Sequence, residues 1–321
     1  MLRLGYLLPV FLLIFAGLIL VGGQPERRYH GNTCQYQVIY GDDAALGLVA
    51  IGGSRMLAAA NASELDSIIA SRNPNASPSA NIAHSYYSVE KEYVLLRDLL
   101  SERPVKTALV MLEPRGNSFG SLHSEYSPIA KLSDIPLTVS AAFQEAPARV
   151  LAGIWDIINA HFKPWYALET ALAPRVFDVD PTPLDCAPTD YRLNIVALNN
   201  AEQRYQARRG QPLEWDLDAP EEQAVLTWVR ASQAIADQHD TALFFILMTG
   251  TSEYLPDSAL PEIFRQKTGS ELIVFDAQIH QQLASDGKRD SSHINAAGRD
   301  IFLPWLVDQI AKNCPRQDGC F

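Results

Sequence analysis

Clusters of basic residues are absent from this chain, and basic residues are outnumbered by acidic ones. The 321 residues include 26 lysines and arginines against 37 aspartates and glutamates, which gives a formal net charge of −11 at pH 7. Proteins that bind nucleic acid need positive charge to displace counterions from the phosphates. The composition therefore argues against a nucleic-acid partner.

Metal-binding patterns are also missing. No C-x-x-C, H-x-H or H-E-x-x-H spacing occurs, so we expect no metal and no cofactor. A metal site is the alternative for one late group of residues, namely Asp286, Asp290 and His293. The four cysteines are Cys34, Cys186, Cys314 and Cys320. An even number is compatible with one or two disulfides in an exported chain, the last two being close enough to close a short loop, and four free thiols are the alternative.

One uncharged stretch near the N-terminus is long enough to cross a membrane. Residues 4–23, LGYLLPVFLLIFAGLILVGG, would form a helix of roughly 30 Å, which is about the thickness of a hydrocarbon core. A cleaved secretory signal has a shorter apolar region and a small-residue cleavage site, which LVGGQ matches weakly. We therefore predict a single-pass signal anchor over residues 1–23, with the rest of the chain in the periplasm or outside the cell.

Beyond the anchor, residues 24–46 are polar and turn-rich, and we predict a linker there. Amphipathic helices then alternate with short apolar runs, which are typical of strands buried on both faces. The predicted strands are 47–53, 79–84, 106–113, 241–248 and 271–277. This alternation predicts one α/β domain over 47–321 with a five-stranded parallel sheet. The alternation of helices and apolar runs stops at about 114–220, where we predict an insertion on the face that carries the loops.

The first predicted strand ends in AIGGSRM, which places Ser54 at a strand-to-helix turn. Active sites of open α/β sheets lie beyond the carboxyl ends of the strands. The preceding glycines permit a tight bend, and the N–H of Ser54 itself could donate to an oxyanion. The alternative is that Ser54 only caps the helix that follows.

A second stretch, DSSHINAAGRDIF at residues 290–302, holds an aspartate and a histidine three positions apart before the last helix. A serine nucleophile needs a base, and the base needs an acid that orients it. Because this loop follows the fifth predicted strand, it opens at the same edge of the sheet as Ser54. The residues therefore predict a triad of Ser54, His293 and Asp290. A lipase-type G-x-S-x-G elbow is absent, since Met56 stands two positions after the serine.

Taken together, these two stretches resemble the first and last motif blocks of the SGNH (GDSL-type) hydrolase superfamily. The last block, D-x-x-H-x-N-x-x-G, is matched by Asp290, His293, Asn295 and Gly298. The first block, GGSR at 52–55, is similar to the G-S-S-R branch, which includes many envelope proteins that work on acylated polymers. The resemblance implies a flavodoxin-like three-layer α/β/α domain, with Ser54 as nucleophile, His293 as base and Asp290 as its orienting partner.

The superfamily takes two further oxyanion donors from a backbone glycine and an asparagine side chain. SANIAHSYYS at 79–88 is similar to the second block of the branch and offers Asn81, without a glycine after it. LEPRGN at 112–117 follows the third strand and offers Asn117 or Gly116. Asn81 and Asn117 are therefore the oxyanion candidates.

The resemblance and the anchor together predict a membrane-anchored, extracytoplasmic serine esterase or O-acyltransferase. Its substrates would be acyl esters of cell-envelope glycans or glycolipids, and the intermediate an acyl-enzyme on Ser54. The expected partners are an acylated carbohydrate or lipid-linked substrate, the membrane and proteins of an envelope assembly. The alternative is a catalytically weak SGNH-like protein that binds glycan in an envelope polysaccharide assembly, which the missing glycine favours.

Overall fold

The computed structural model describes twelve stretches of the chain. They are residues 34–41, 44–84, 88–113, 130–142, 151–155, 157–158, 186, 215–248, 257–285, 287, 293–316 and 319–321, with 142, 220, 221 and 285 described only in their backbone. The apolar segment 4–23, Asn117 and Asp290 lie outside these stretches. Within them, no helix combines the length and the apolar character that a bilayer span requires.

Strands and helices alternate along most of the described chain. The helices are α1 Cys34–Tyr40, α2 Ser54–Ala59, α3 Ala62–Ala70, α4 Val89–Glu102, α5 Ile135–Ala142, α6 Pro220–Gln238, α7 Leu260–Thr268, α8 Ala277–Ser285 and α9 Ala296–Lys312, and a 3-10 turn covers Leu132–Asp134. The strands are β1 Leu46–Ile51, β2 Ala80–Asn81, β3 Val105–Leu112, β4 Ala242–Leu247 and β5 Glu271–Val274. Residues 151–155 and 157–158 are also helical.

All five strands join one parallel sheet in the order β2-β1-β3-β4-β5. This confirms the predicted α/β class and the five-stranded parallel sheet. The order 2-1-3-4-5 is one of the two common orders of doubly wound sheets. Every residue of β1 and β4 is buried, because helices cover both faces of the sheet.

Successive strand residues point to opposite faces, so the sheet separates two apolar cores. Val49, Ile51, Val110 and Phe245 contribute to the core under α1, α4, α5, α6 and α7, which we call the α4 face. Leu48, Ala50, Leu109, Met111 and Phe244 contribute to the core under α2, α3, α8 and α9, which we call the α9 face. Helices on both faces make a three-layer arrangement.

Helix α1 belongs to the folded domain, although its residues fall in the predicted linker. Tyr36, Val38 and Ile39 are buried in the core of the α4 face, and Arg103 donates a hydrogen bond to the carbonyl of Val38 at 2.7 Å. A helix of seven residues is marginal by itself, so its stability comes from this packing. Local sequence carries little sign of such tertiary stabilisation.

Two disulfides join the described cysteines, Cys34 with Cys186 and Cys314 with Cys320. Of the alternatives that the sequence left open, the structure thus has two disulfides, and Cys314 and Cys320 close a short loop. The first disulfide spans 152 positions and joins α1 to the predicted insertion.

Residues near the start of the insertion also form ion pairs with α4. Asp98 is fully buried and accepts from Arg97 and, at 3.1 Å, from Lys131. Arg97 also pairs with Asp134, and Asp134 lies in the 3-10 turn at the beginning of α5. These ion pairs connect two charges of each sign, so the buried carboxylates are compensated.

Candidate active site

The turn after β1 is tight enough to exclude any side chain at Gly52. A Cβ atom there would lie 2.5 Å from the Cβ of Met111 and 2.9 Å from the Cβ of Met56. Gly53 follows in extended conformation as the N-cap of α2, and Ser54 is the first residue of that helix. The glycine at position 52 therefore lets α2 begin directly over the end of β1, with Ser54 at the carboxyl edge of the sheet.

His293 reaches this serine from the other end of the sequence. Its Nε2 lies 2.9 Å from Oγ of Ser54, although 239 positions separate the two residues. Both side chains are half-buried. A hydroxyl and an imidazole nitrogen at hydrogen-bond distance form the pair that a nucleophile and its general base require. The structure thus brings together two of the three predicted triad residues, and the third, Asp290, lies outside the described residues.

The loop that carries His293 is closed at its base by two glycines. A Cβ atom on Gly298 would lie 2.4 Å from the carbonyl oxygen of Gly287, so these backbones approach each other too closely for any other residue. The N–H of Asn295 donates to the same oxygen at 2.9 Å. Asn295 is also the N-cap of α9, and its Oδ1 accepts from the N–H of Gly298 at 2.8 Å. The N-x-x-G motif therefore fixes the start of α9 and, with it, the position of His293 two residues before Asn295.

Asn81 is fully buried at the end of β2, and its amide contacts backbone groups on both sides. Its Nδ2 donates to the carbonyl of Ala60, just after α2, and its Oδ1 accepts from the N–H of Ala83 at 3.0 Å. These bonds hold the end of β2 against the end of α2. An oxyanion role for Asn81 stays a prediction, as does that of Asn117, which lies outside the described residues.

Arg55 ties the serine helix to the ends of two other strands. Its Nη1 donates to the carbonyl of Met248 at 2.6 Å, and its Nε lies 3.7 Å from Oε1 of Glu113. Met248 and Glu113 directly follow β4 and β3. The arginine thus bridges the carboxyl edge of the sheet beside Ser54, a contact over 193 positions that no local pattern predicts.

Two buried glutamates lie at the start of α4, near Glu113. Burial raises the pKa of Glu90 to about 7, against a smaller opposing effect of Ser88, whose hydroxyl donates to Glu90 Oε2 at 2.7 Å. Burial, and then the charges of Glu113 and Glu90, raise the pKa of Glu92 well above its ordinary value. Neither carboxyl oxygen of Glu92 has a hydrogen-bond partner in the described part of the chain. Sequence reasoning missed this cluster, because glutamates in the first turn of a helix are usually solvated.

No group of three or more histidine, cysteine, aspartate or glutamate side chains within the described stretches is arranged to hold a metal ion. Asp286 and Asp290, which the alternative metal site would need, lie outside those stretches.

No protein-family model matches this chain, and no curated protein shows significant similarity to it in sequence.

Proposed function

We propose that this protein is a serine esterase or O-acyltransferase of SGNH type. The observation that carries the proposal is the 2.9 Å contact between His293 Nε2 and Ser54 Oγ. The contact joins the first turn of α2 to the loop before α9, and both lie at the carboxyl edge of a parallel sheet. The strand order 2-1-3-4-5 also agrees with the flavodoxin-like fold that the resemblance implies.

In the proposed reaction, Ser54 Oγ attacks the carbonyl carbon of an ester while His293 Nε2 accepts the hydroxyl proton. The N–H of Ser54 donates to the oxyanion of the tetrahedral intermediate, and Asn81 and Asn117 are the further candidates for this role. As the intermediate collapses, His293 returns the proton to the leaving alcohol, and an acyl-enzyme forms on Ser54. Water then releases the acid in an esterase, or an acceptor hydroxyl takes the acyl group in a transferase.

The proposed setting is the outer side of the cytoplasmic membrane, with acyl esters of envelope glycans or glycolipids as substrates. Two observations support it. Residues 4–23 form an uncharged segment of membrane-spanning length, and all described cysteines are paired in disulfides, which persist in oxidising compartments.

Hydrolysis of p-nitrophenyl acetate and butyrate by the full-length protein in mild detergent tests the proposal. Ser54→Ala and His293→Ala should each lower kcat/KM by about 1000-fold or more, because they remove the nucleophile or its base. His239→Ala is the matched control, since His239 is exposed at the end of α6 and should keep full activity. Equal activity in Ser54→Ala and the parent would refute the mechanism.

The second candidate is a catalytically weak glycan-binding protein of an envelope assembly. It is favoured by the side chain of Asn81, whose two polar atoms already bind the backbone at Ala60 and Ala83. This candidate predicts no turnover of either ester and no covalent labelling of Ser54 by a fluorophosphonate, while an acylated envelope glycan still binds in a calorimetric titration.

A further inference from the structure

We infer that the Cys34–Cys186 disulfide is a positioning element for Ser54. It would act through the four residues 81–84, which we call the β2 exit. The inference rests on the proposed function for its activity readout, whereas its structural readout is independent of any activity.

The inner edge of the β2 exit holds the last residues of β1. The N–H of Ile82 donates to the carbonyl of Ala50 at 2.9 Å, and the N–H of His84 donates to the carbonyl of Gly52 at 2.8 Å. Gly52 stands two positions before Ser54. The β2 exit therefore continues the pairing with β1 up to the turn from which the serine is presented.

The outer edge of the β2 exit is an edge of the whole sheet, so its outward backbone groups need partners from elsewhere. The N–H of Cys186 donates to the carbonyl of Asn81 at 2.9 Å. The side chain of Gln35 donates to the carbonyl of Ala83 at 2.8 Å. One donor is a disulfide cysteine and the other is the neighbour of its partner Cys34, so the covalent bond keeps both donors at this edge.

The segments that carry these two donors are far apart in sequence. Helix α1, which carries Gln35, has only seven residues and depends on tertiary contacts for its stability. Without the disulfide, the two segments that supply these donors would no longer be covalently linked at this edge. Loss of both donors would free the outer edge of the β2 exit and loosen its bonds to Ala50 and Gly52. The turn at Gly52 is closely packed, since a Cβ atom there would lie 2.5 Å from the Cβ of Met111 and 2.9 Å from that of Met56.

The experiment compares two double variants of the full-length protein, Cys34→Ser with Cys186→Ser and Cys314→Ser with Cys320→Ser. The second pair is the matched control, because its disulfide closes a short loop after α9. Fluorophosphonate labelling of Ser54 is measured at a temperature at which both variants are folded. We expect the maximal labelling rate to fall about tenfold or more in the first variant, with little change in affinity for the reagent, and to stay within about twofold of the parent in the control.

Hydrogen exchange of peptides covering 79–84 and 242–247 gives the structural readout. A positioning role predicts that 79–84 exchanges at least about tenfold faster in the first variant while 242–247, in β4, changes little. An equal acceleration of both peptides would mean general destabilisation and would overturn the inference. Gln35→Leu keeps both disulfides and removes only the bond to Ala83, so it should cause a smaller change in the same direction even if the first variant does not fold.

The two proposals fail in different ways. If the parent protein is not labelled at all, the proposed function fails, and the exchange of 79–84 still decides whether the disulfide positions the β2 exit. If the parent is labelled and the first variant reacts as fast as the control, the positioning role is refuted and the proposed function stands.

Discussion

The two faces of the sheet stabilise the domain in different ways. On the α4 face, helix α4 alone buries three carboxylates, those of Glu90, Glu92 and Asp98. On the α9 face, none of the described helix residues with a charged side chain is buried. Both Ser54 and His293 belong to elements of the α9 face. The candidate catalytic pair is thus supported by apolar packing, while the opposite face combines apolar packing with buried charge, whose energy depends on partners and on pH.

The largest loss of stability should follow from removing a buried charge of the α4 face. Asp98→Ala leaves Lys131 without its partner and Arg97 with Asp134 alone, so we expect a loss of about 3–5 kcal/mol in the free energy of unfolding. The matched control is Asp308→Ala on α9, whose exposed pair with Arg72 should contribute about 1 kcal/mol or less. Denaturant unfolding of both variants at pH 7 measures the difference, and equal losses would contradict the contrast between the faces.

On the α9 face, the sensitive feature is close backbone packing. Gly298→Ala places a methyl group against the carbonyl of Gly287 and should displace the loop that carries His293. We expect kcat/KM for p-nitrophenyl acetate to fall about 100-fold, as displacement of a catalytic group by about 1 Å can do. The control is Gly269→Ala, where φ is +77° but no atom lies within 4 Å of the added Cβ. It should lose about 1 kcal/mol of stability and keep full activity, and similar activity in both variants would refute the role of Gly298.

The smallest of the three predicted effects is a dependence of the free energy of unfolding on pH. Because the pKa of Glu90 is raised from 4.5 to about 7 in the folded protein, the folded state keeps a proton there that the unfolded state has released. The free energy of unfolding should therefore fall as pH rises from about 4.5 to 7, and then level off. Glu90→Gln removes the cost of ionising a buried carboxyl group and should stabilise the protein by about 2–3 kcal/mol at pH 8 but hardly at pH 4.

Thermal unfolding of Glu90→Gln and its parent across this pH range measures the effect. Glu262→Gln is the control, because Glu262 is exposed and its pKa is lowered by Arg265, so its loss should bring no gain in stability at pH 8. A pH-independent difference between Glu90→Gln and the parent would mean that Glu90 is not the titrating group.

The sequence was sufficient to predict the sheet, because strands buried on both faces consist of apolar runs that are visible without tertiary information. It was also sufficient to predict that Ser54 and His293 meet, since parallel strands end at one edge. It could not predict that Cys34 is paired, because an even number of cysteines is compatible with one disulfide, two disulfides or four free thiols. Nor could it predict the burial of Glu90 and Glu92, since their positions on α4 follow no apolar period and only the packed structure removes them from water.

The 239 positions between Ser54 and His293 also bear on how the protein is made. During synthesis Ser54, the proposed nucleophile, emerges early, but its proposed base His293 is translated only after β5, the last strand of the sheet. Contacts so distant along the chain form late, once most of the fold is in place. A nascent or partly folded chain would therefore carry an ordinary, unreactive serine at position 54. Reactivity at that serine would be a property of the finished fold alone, and a fluorophosphonate would serve as a probe of complete folding.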